Sequence, residues 1–320
     1  MTTKHPTYVP TPDSGRLLRT LLILAGVFFV MIIIAGSLGA WLSGFMEPAT
    51  RGCYLMQSAV QALVAFVGTA VITARLTSGH PWKFLGMACP CTVRHLIGVI
   101  IVFLIGFPFI NQIIYYNSLL HLPDCMAGIE QWMVEMEEVN AEVTRKVLSG
   151  SSVADLISGV LVVGVLTGLG EELLFRGTLQ QAMTRDTRLG VWSIWITAAV
   201  FSAVHLQFFG FFPRLLLGAF FGYLIYFTRS IWPGVFAHAL NNSIVVASAW
   251  RSPGMLAGNV TDTVAGEAFS ADTIGVSFDG IPWIAIASMV ALALFFRYGC
   301  RYFFSRSTHR SSGNKRVHEF

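Results

Sequence analysis

Two adjacent acids and an arginine stand within an otherwise apolar stretch, Thr167-Gly168-Leu169-Gly170-Glu171-Glu172-Leu173-Leu174-Phe175-Arg176-Gly177. The residues upstream, Leu156 to Leu169, carry no charge. A charged side chain at bilayer depth costs about 2.5–3.5 kcal/mol even on insertion scales, so charges placed there mark function or a built ion network. Helical geometry separates their jobs. Glu172 and Arg176 are four residues apart on one face, with the acid N-terminal to the base, the better order for a pair. Glu171 is turned roughly 100° away from Glu172 at 3.6 residues per turn. Glu172–Arg176 therefore reads as a structural pair and Glu171 as the working carboxylate. The alternative is that all three form a structural ion network.

Two further polar pairs follow. Phe201-Ser202-Ala203-Val204-His205 places Phe201 and His205 on one face, so that the ring can wall the imidazole. His238-Ala239-Leu240-Asn241-Asn242 does the same for His238 and Asn242. At a rise of 1.5 Å per residue, Glu171, His205, His238 and Asn242 come out roughly 10–22 Å from the nearer cytoplasmic helix ends, and can line one polar cavity. A carboxylate with a histidine can deprotonate a water for attack on a carbonyl. A second histidine and an amide N–H can bond the oxyanion that results. HExxH is absent. Glu171, His205 and His238 are nonetheless a possible His₂Glu set for a divalent metal such as zinc. Spacing leaves open whether the water is metal-held or activated directly.

The elements that must position these groups are membrane helices. Of 320 residues, 54% are hydrophobic and only 12% charged, with mean hydropathy +0.65; soluble domains run near 25% charged. The expected fold is all-α and polytopic, with about eight transmembrane helices near 17–43, 54–74, 96–116, 153–181, 190–209, 213–228, 231–250 and 281–301, and a catalytic cavity within the bundle. Seven spans result if 213–228 is re-entrant. The first apolar run is too long for a signal h-region and reads as a retained span. With alternating spans, fifteen of the 21 Lys and Arg residues fall on one side. Five (Arg51, Arg145, Lys146, Arg214 and Arg251) fall on the other, and Arg176 lies within the membrane. This bias puts both termini in the cytoplasm. It also explains the net charge of +4 as a topology signal, which argues against nucleic acid as a partner. The expected location is a bacterial cytoplasmic membrane.

The division that follows is a disordered cytoplasmic tail at 1–15, a transmembrane domain at 16–301 with its motif core at 153–250, and a basic cytoplasmic tail at 302–320. Glu130 to Leu148 reads as an amphipathic helix on the membrane surface or over the core, and 251–280 as a mobile loop. The five cysteines make no CxxC pair and no Cys/His metal spacing, and read as free thiols. No inverted repeat or pair of broken helices supports a transporter.

Glu171-Glu172-x-x-x-Arg176, Phe201-x-x-x-His205 and His238-x-x-x-Asn242, in that order and each in an expected span, resemble the three motifs of the CAAX-processing and bacteriocin-processing (CPBP) intramembrane proteases, also called the Abi family. The match covers roughly 153–250. The resemblance implies an eight-helix membrane enzyme with its site open to the cytoplasmic side. It implies Glu171 and His205 as water activators, His238 and Asn242 as oxyanion stabilisers, and Glu172 and Arg176 as support. The partner it implies is a peptide or protein substrate at the lipid bilayer, and eukaryotic members remove three residues after a prenylated cysteine. The competing expectation is a non-catalytic membrane partner or bacteriocin self-immunity protein that keeps the motifs for structure.

Overall fold

The helices begin and end where the sequence supplies the chemistry for it. The computed structural model describes residues 14–185, 189–252 and 282–304, and among these every regular element is helical. The long elements are α1 (Ser14–Ser43), α2 (Arg51–Thr77), α4 (Val93–Ser118), α6 (Val153–Thr184), α8 (Phe211–Thr228), α9 (Trp232–Arg251) and α10 (Trp283–Phe303). A short α3 (Pro81–Phe84) follows α2, a surface helix α5 (Ala127–Leu148) follows α4, and α7 (Trp192–Ala203) lies between α6 and α8. The N-terminus of α6 is a capping box: the Asp155 amide donates to Ser152 Oγ at 3.1 Å, and the Ser152 amide donates to Asp155 Oδ2 at 3.0 Å. Arg51 pairs with Asp155 at 3.2 Å, and Trp250 Nε1 donates to the Ser152 carbonyl at 3.0 Å. These contacts pin the start of α6 to α2 and α9. Helix α8 stops at Arg229, whose φ of 58° is left-handed.

Six helices are long and apolar enough to cross a membrane: α1, α2, α4, α6, α8 with its preceding turn, and α10. All eight expected spans coincide with helices, but α7 has only 12 residues and α9 is not among the six. Their composition explains it. Helix α7 rises only ~18 Å, well short of a hydrocarbon layer of about 30 Å, and α9 gives up apolar positions to His238, Asn241, Asn242 and Ser243.

The chain alternates between two ends of the bundle. At one end, α5 lies beside the α7–α8 connection, with Trp132 and Phe208 ring centroids 5.3 Å apart. At the other, Trp232 Nε1 donates to the Met87 carbonyl, Ser230 Oγ donates to the Cys89 carbonyl, and Arg185 lies over the Phe84 ring. The tails before residue 14 and after 304, and the stretch expected as a mobile loop at 251–280, lie almost wholly outside the described residues.

Helix α6 is the axis of the site, and it packs antiparallel on α9 through glycines. A Cβ on Gly168 would stand 3.2 Å from the Ala239 amide nitrogen, and one on Gly164 would stand 2.5 Å from Ser243 Oγ. Backbones come that close only where side chains are absent, the usual basis of helix association in lipid. On its other side α6 runs parallel to α8. Arg176 Nη2 donates to the Gly218 carbonyl at 2.9 Å, and one turn on Gln180 Nε2 donates to the Gly222 carbonyl at 2.9 Å. Two stretches of α6, Val160–Thr167 and Leu173–Gln180, wind with π-type turns, leaving Gly168–Glu172 as the α-helical segment between them. Such widened turns recur at functional sites.

Helix α5 departs from the simple amphipathic reading. Val147 and Leu148 are buried as an apolar face requires, but so is Glu137, while Ile129, Trp132, Val139 and Val143 are exposed. Burial pushes the Glu137 carboxyl above the usual carboxylate range, and the charge of Arg214 and the amides of Phe209 and Phe208 offset only part of that. All five cysteines are free thiols.

Candidate active site

The site is assembled on three elements: the α-helical segment of α6, the end of α7 with the break that follows it, and one face of α9. Glu172 and Arg176 are wholly buried and paired, with Arg176 Nη1 donating to Glu172 Oε1 at 2.8 Å. The guanidinium lies 4.3 Å from the Phe201 ring centroid and 5.5 Å from that of Phe221. It is thus held by an acid, a carbonyl and two π faces, while its Nε has no hydrogen-bond partner.

The two acids do not face separate spaces. Both engage His238, one at each ring nitrogen: Glu172 Oε1 lies 3.0 Å from Nδ1, and Glu171 Oε2 lies 3.4 Å from Nε2. A carboxylate can only accept, so His238 donates its Nδ1 proton to Glu172. Phe221 stacks on the same imidazole, with centroids 5.1 Å apart and 26° between planes. Gly234 makes room for this cluster, since a Cβ there would stand 3.0 Å from Glu172 Oε2.

His205 stands just beyond the last turn of α7. Its Nδ1 is 2.7 Å from the Phe201 carbonyl, an acceptor only, so the proton sits on Nδ1 and the Nε2 lone pair is left free. Phe201 is the wedge between the two histidines, with its ring 4.9 Å from that of His205 and 5.7 Å from that of His238. The next residue, Leu206, has a left-handed φ of 53°, a costly conformation for a branched side chain and one that clusters at functional sites. Irregular backbone at this depth needs partners, and Asn117 of α4 provides them. Its Nδ2 donates to the carbonyls of Phe208 and Phe209, and its Oδ1 accepts from the Phe212 amide.

Asn242 lies one turn beyond His238 on α9. Its Nδ2 donates to the Val163 carbonyl at 3.2 Å and its Oδ1 accepts from Asn241 Nδ2 at 3.2 Å, which fixes the amide and leaves one N–H to spare. Glu171, His205 and His238 are thus drawn together around Phe201, with Asn242 at the next turn. Glu171 and His238 are buried, and His205 and Asn242 are half-buried.

The hydrogen bonds behind the two imidazoles are of the kind that orient metal-bound histidines. Among the described residues, however, no three His, Cys, Asp or Glu side chains group closely enough to hold one metal ion, Glu171, His205 and His238 included.

Residues 153–244 match the model of a family described as Rce1-like, type II CAAX prenyl endopeptidase. That segment contains α6, α7, α8 and the motif face of α9, and with them all six residues above. Over these residues, less than a third of its length, the chain is similar to that family. The similarity supports a CAAX protease-like intramembrane endopeptidase, and the matched segment is the part of the bundle that carries the candidate site. Neither a curated protein nor a solved structure matches the chain.

Sequence reasoning passed over several contributors to this site. Gly218 and Phe221 of α8 hold Arg176 and His238, and Asn117 stitches the break after His205. Arg214, counted in sequence as a loop charge, stands in the first turn of α8 within electrostatic reach of Glu171 and His205. A signal was present: Arg214, Gly218 and Gly222 recur at four-residue spacing, a polar and small stripe along an apolar helix.

Proposed function

We propose that this protein hydrolyses a peptide bond within the membrane, on a CAAX-type prenylated substrate, by a water activated between Glu171 and His205. The observation that carries the reading is the fixed tautomer of His205. With its proton held on Nδ1 by the Phe201 carbonyl, the ring offers a lone pair at Nε2 to a water whose other hydrogen points at Glu171.

The water oxygen attacks the scissile carbonyl carbon, and one proton passes to the Glu171–His205 pair. The carbonyl oxygen becomes an oxyanion, which accepts from the spare N–H of Asn242. His238 joins it only when Nε2 also carries a proton. Glu171 Oε2, 3.4 Å away, is placed to hand one over. Collapse of the tetrahedral intermediate breaks the C–N bond, and the leaving nitrogen takes a proton back from the pair. Glu172 and Arg176 position His238 and do not touch the substrate.

The test is cleavage of a prenyl-cysteinyl peptide by the purified protein in lipid nanodiscs, followed by mass spectrometry. Release of the segment after the modified cysteine by wild type, and its loss in Glu171→Gln and His205→Ala, is the expected result. Equal turnover in Glu171→Gln and wild type would remove the acid from the mechanism.

A further inference from the structure

Asn241 of α9 carries a polar group that the reaction above does not use. Asn241 and Asn242 follow His238 by three and four residues, so they stand one turn beyond it, on either side of its face. A chain of hydrogen bonds fixes which atom each amide presents. The Val163 carbonyl only accepts, so the Asn242 atom 3.2 Å from it is the donor Nδ2. That turns Asn242 Oδ1 toward Asn241. An amide oxygen also only accepts, so Asn241 meets it with its own Nδ2, at 3.2 Å.

What remains is set by elimination. Asn242 keeps one free N–H, and Asn241 keeps its oxygen. Asn241 Oδ1 is enclosed by the protein and has no hydrogen-bond partner among the described residues, although the residue as a whole is only half-buried. A buried acceptor without a donor destabilises the fold, and such groups in native structures call for a use. Neighbouring amides thus offer one donor and one acceptor beside His238.

An extended peptide presents the matching pair. The N–H and C=O of one residue point to the same side of a strand, and in an antiparallel ladder a facing residue exchanges both bonds with them. With the scissile carbonyl oxygen on the free N–H of Asn242, the group that falls to Asn241 Oδ1 is the N–H of that same residue. The leaving nitrogen belongs to the next residue and points the other way, toward the proton it takes from the Glu171–His205 pair.

We propose that Asn241 is a substrate-binding residue that accepts a hydrogen bond from the main-chain N–H of the residue whose carbonyl is cleaved. Asn241 and Asn242 together hold that residue extended against α9, as a strand would. This rests on the hydrolase reading above. The contact aligns the scissile bond through the main chain and reads no side chain.

Three peptides are compared on the full-length protein in nanodiscs. One is a prenyl-cysteinyl peptide, the second has an ester oxygen in place of the cysteine N–H, and the third has the same change one residue earlier. Each ester removes one N–H and no side chain. In wild type the ester at the cysteine is expected to lower kcat/KM for cleavage after it by about tenfold, the scale of one hydrogen bond. The earlier ester leaves it nearly unchanged. In Asn241→Leu the loss at the cysteine disappears, whatever the variant does to the overall rate. Asn241→Ser, too short to reach the same place, is read in the same way should the leucine variant not fold. Asn241→Asp keeps an oxygen there and keeps the loss. A wild-type loss below twofold overturns the proposal, as do equal losses from the two esters or a full loss retained in Asn241→Leu. If wild type cleaves none of the peptides, the hydrolase reading fails, and binding decides on Asn241. Thermal stabilisation of Glu171→Gln by the all-amide peptide but not by the cysteine ester, lost when Asn241→Leu is added, supports the contact; equal shifts overturn it.

Discussion

His238 Nδ1 stands 3.0 Å from Glu172 Oε1, the same oxygen that accepts from Arg176 Nη1. One carboxylate oxygen thus couples the buried cation to the imidazole of the site. Because Glu172 holds the ring proton on Nδ1, its role is to set which nitrogen of His238 faces Glu171. The acid that pairs with Arg176 thus also fixes the tautomer of His238.

The two glutamates should therefore fail differently. Glu171→Gln is expected to be inactive yet to express and melt like wild type. Glu172→Gln leaves Arg176 buried without its anion, a loss on the order of 3–5 kcal/mol, so lower thermal stability in detergent should accompany its loss of activity. A stable but inactive Glu172→Gln together with an active Glu171→Gln would reverse the assignment.

Asn242→Ala removes one oxyanion donor. Such deletions lower turnover by about 10²–10³, so kcat should fall by that factor while KM changes little. Asn242→Asp should be worse, since a carboxylate repels the oxyanion. Steady-state kinetics that raise KM and leave kcat alone would make Asn242 a substrate binder.

Direct activation of the water predicts insensitivity to chelation. Protein dialysed against a strong chelator should keep its turnover, and added zinc should not raise it. Abolition by chelator with recovery on zinc would instead make Glu171, His205 and His238 metal ligands, drawn together by the ion.

Glu137 gives a stability signature with a definite sign. Its carboxyl is held above the ordinary value of 4.5, chiefly by burial. The folded protein binds that proton more tightly than the unfolded chain, so the contribution is fully present below the ordinary value and is lost as pH rises through the folded one. Glu137→Gln should melt higher than wild type at pH 8, and the gap should close toward pH 4.5. A variant that is instead destabilised most at pH 8 would show that the attraction of Arg214 outweighs burial.

Orientation can be read from native thiols. Cys125 is exposed at the α5 end of the bundle, and Cys89 and Cys91 are partly exposed at the other. In the described residues Arg16, Arg19, Arg75, Lys83, Arg94, Arg185, Arg229, Arg297 and Arg301 gather at the latter end, which the positive-inside bias puts in the cytoplasm. An impermeant maleimide should label Cys125 in intact cells, and Cys89 and Cys91 only after permeabilisation. The opposite pattern would invert the molecule in its membrane.

The sequence by itself determined the helical, membrane-embedded class, since runs of apolar residues with so few charges have no other stable disposition. It also determined the Glu172–Arg176 pair, because four-residue spacing on a helix fixes it from local geometry alone, and the turn that follows α7 keeps Phe201 and His205 neighbours although the helix has ended. It did not determine that Glu171 and Glu172 share one imidazole. Their 100° divergence is real on α6, but His238 reaches them from α9, and the width of an imidazole spans the gap. That approach depends on how closely two backbones pack at Gly164 and Gly168, a tertiary quantity. Nor could spacing show that α7 stops short, that Asn117 satisfies the break after it, or that Arg214 turns from a loop charge into a neighbour of Glu171. Each of these depends on which helix packs against which, and contacts between residues ninety positions apart leave no periodicity in a single chain.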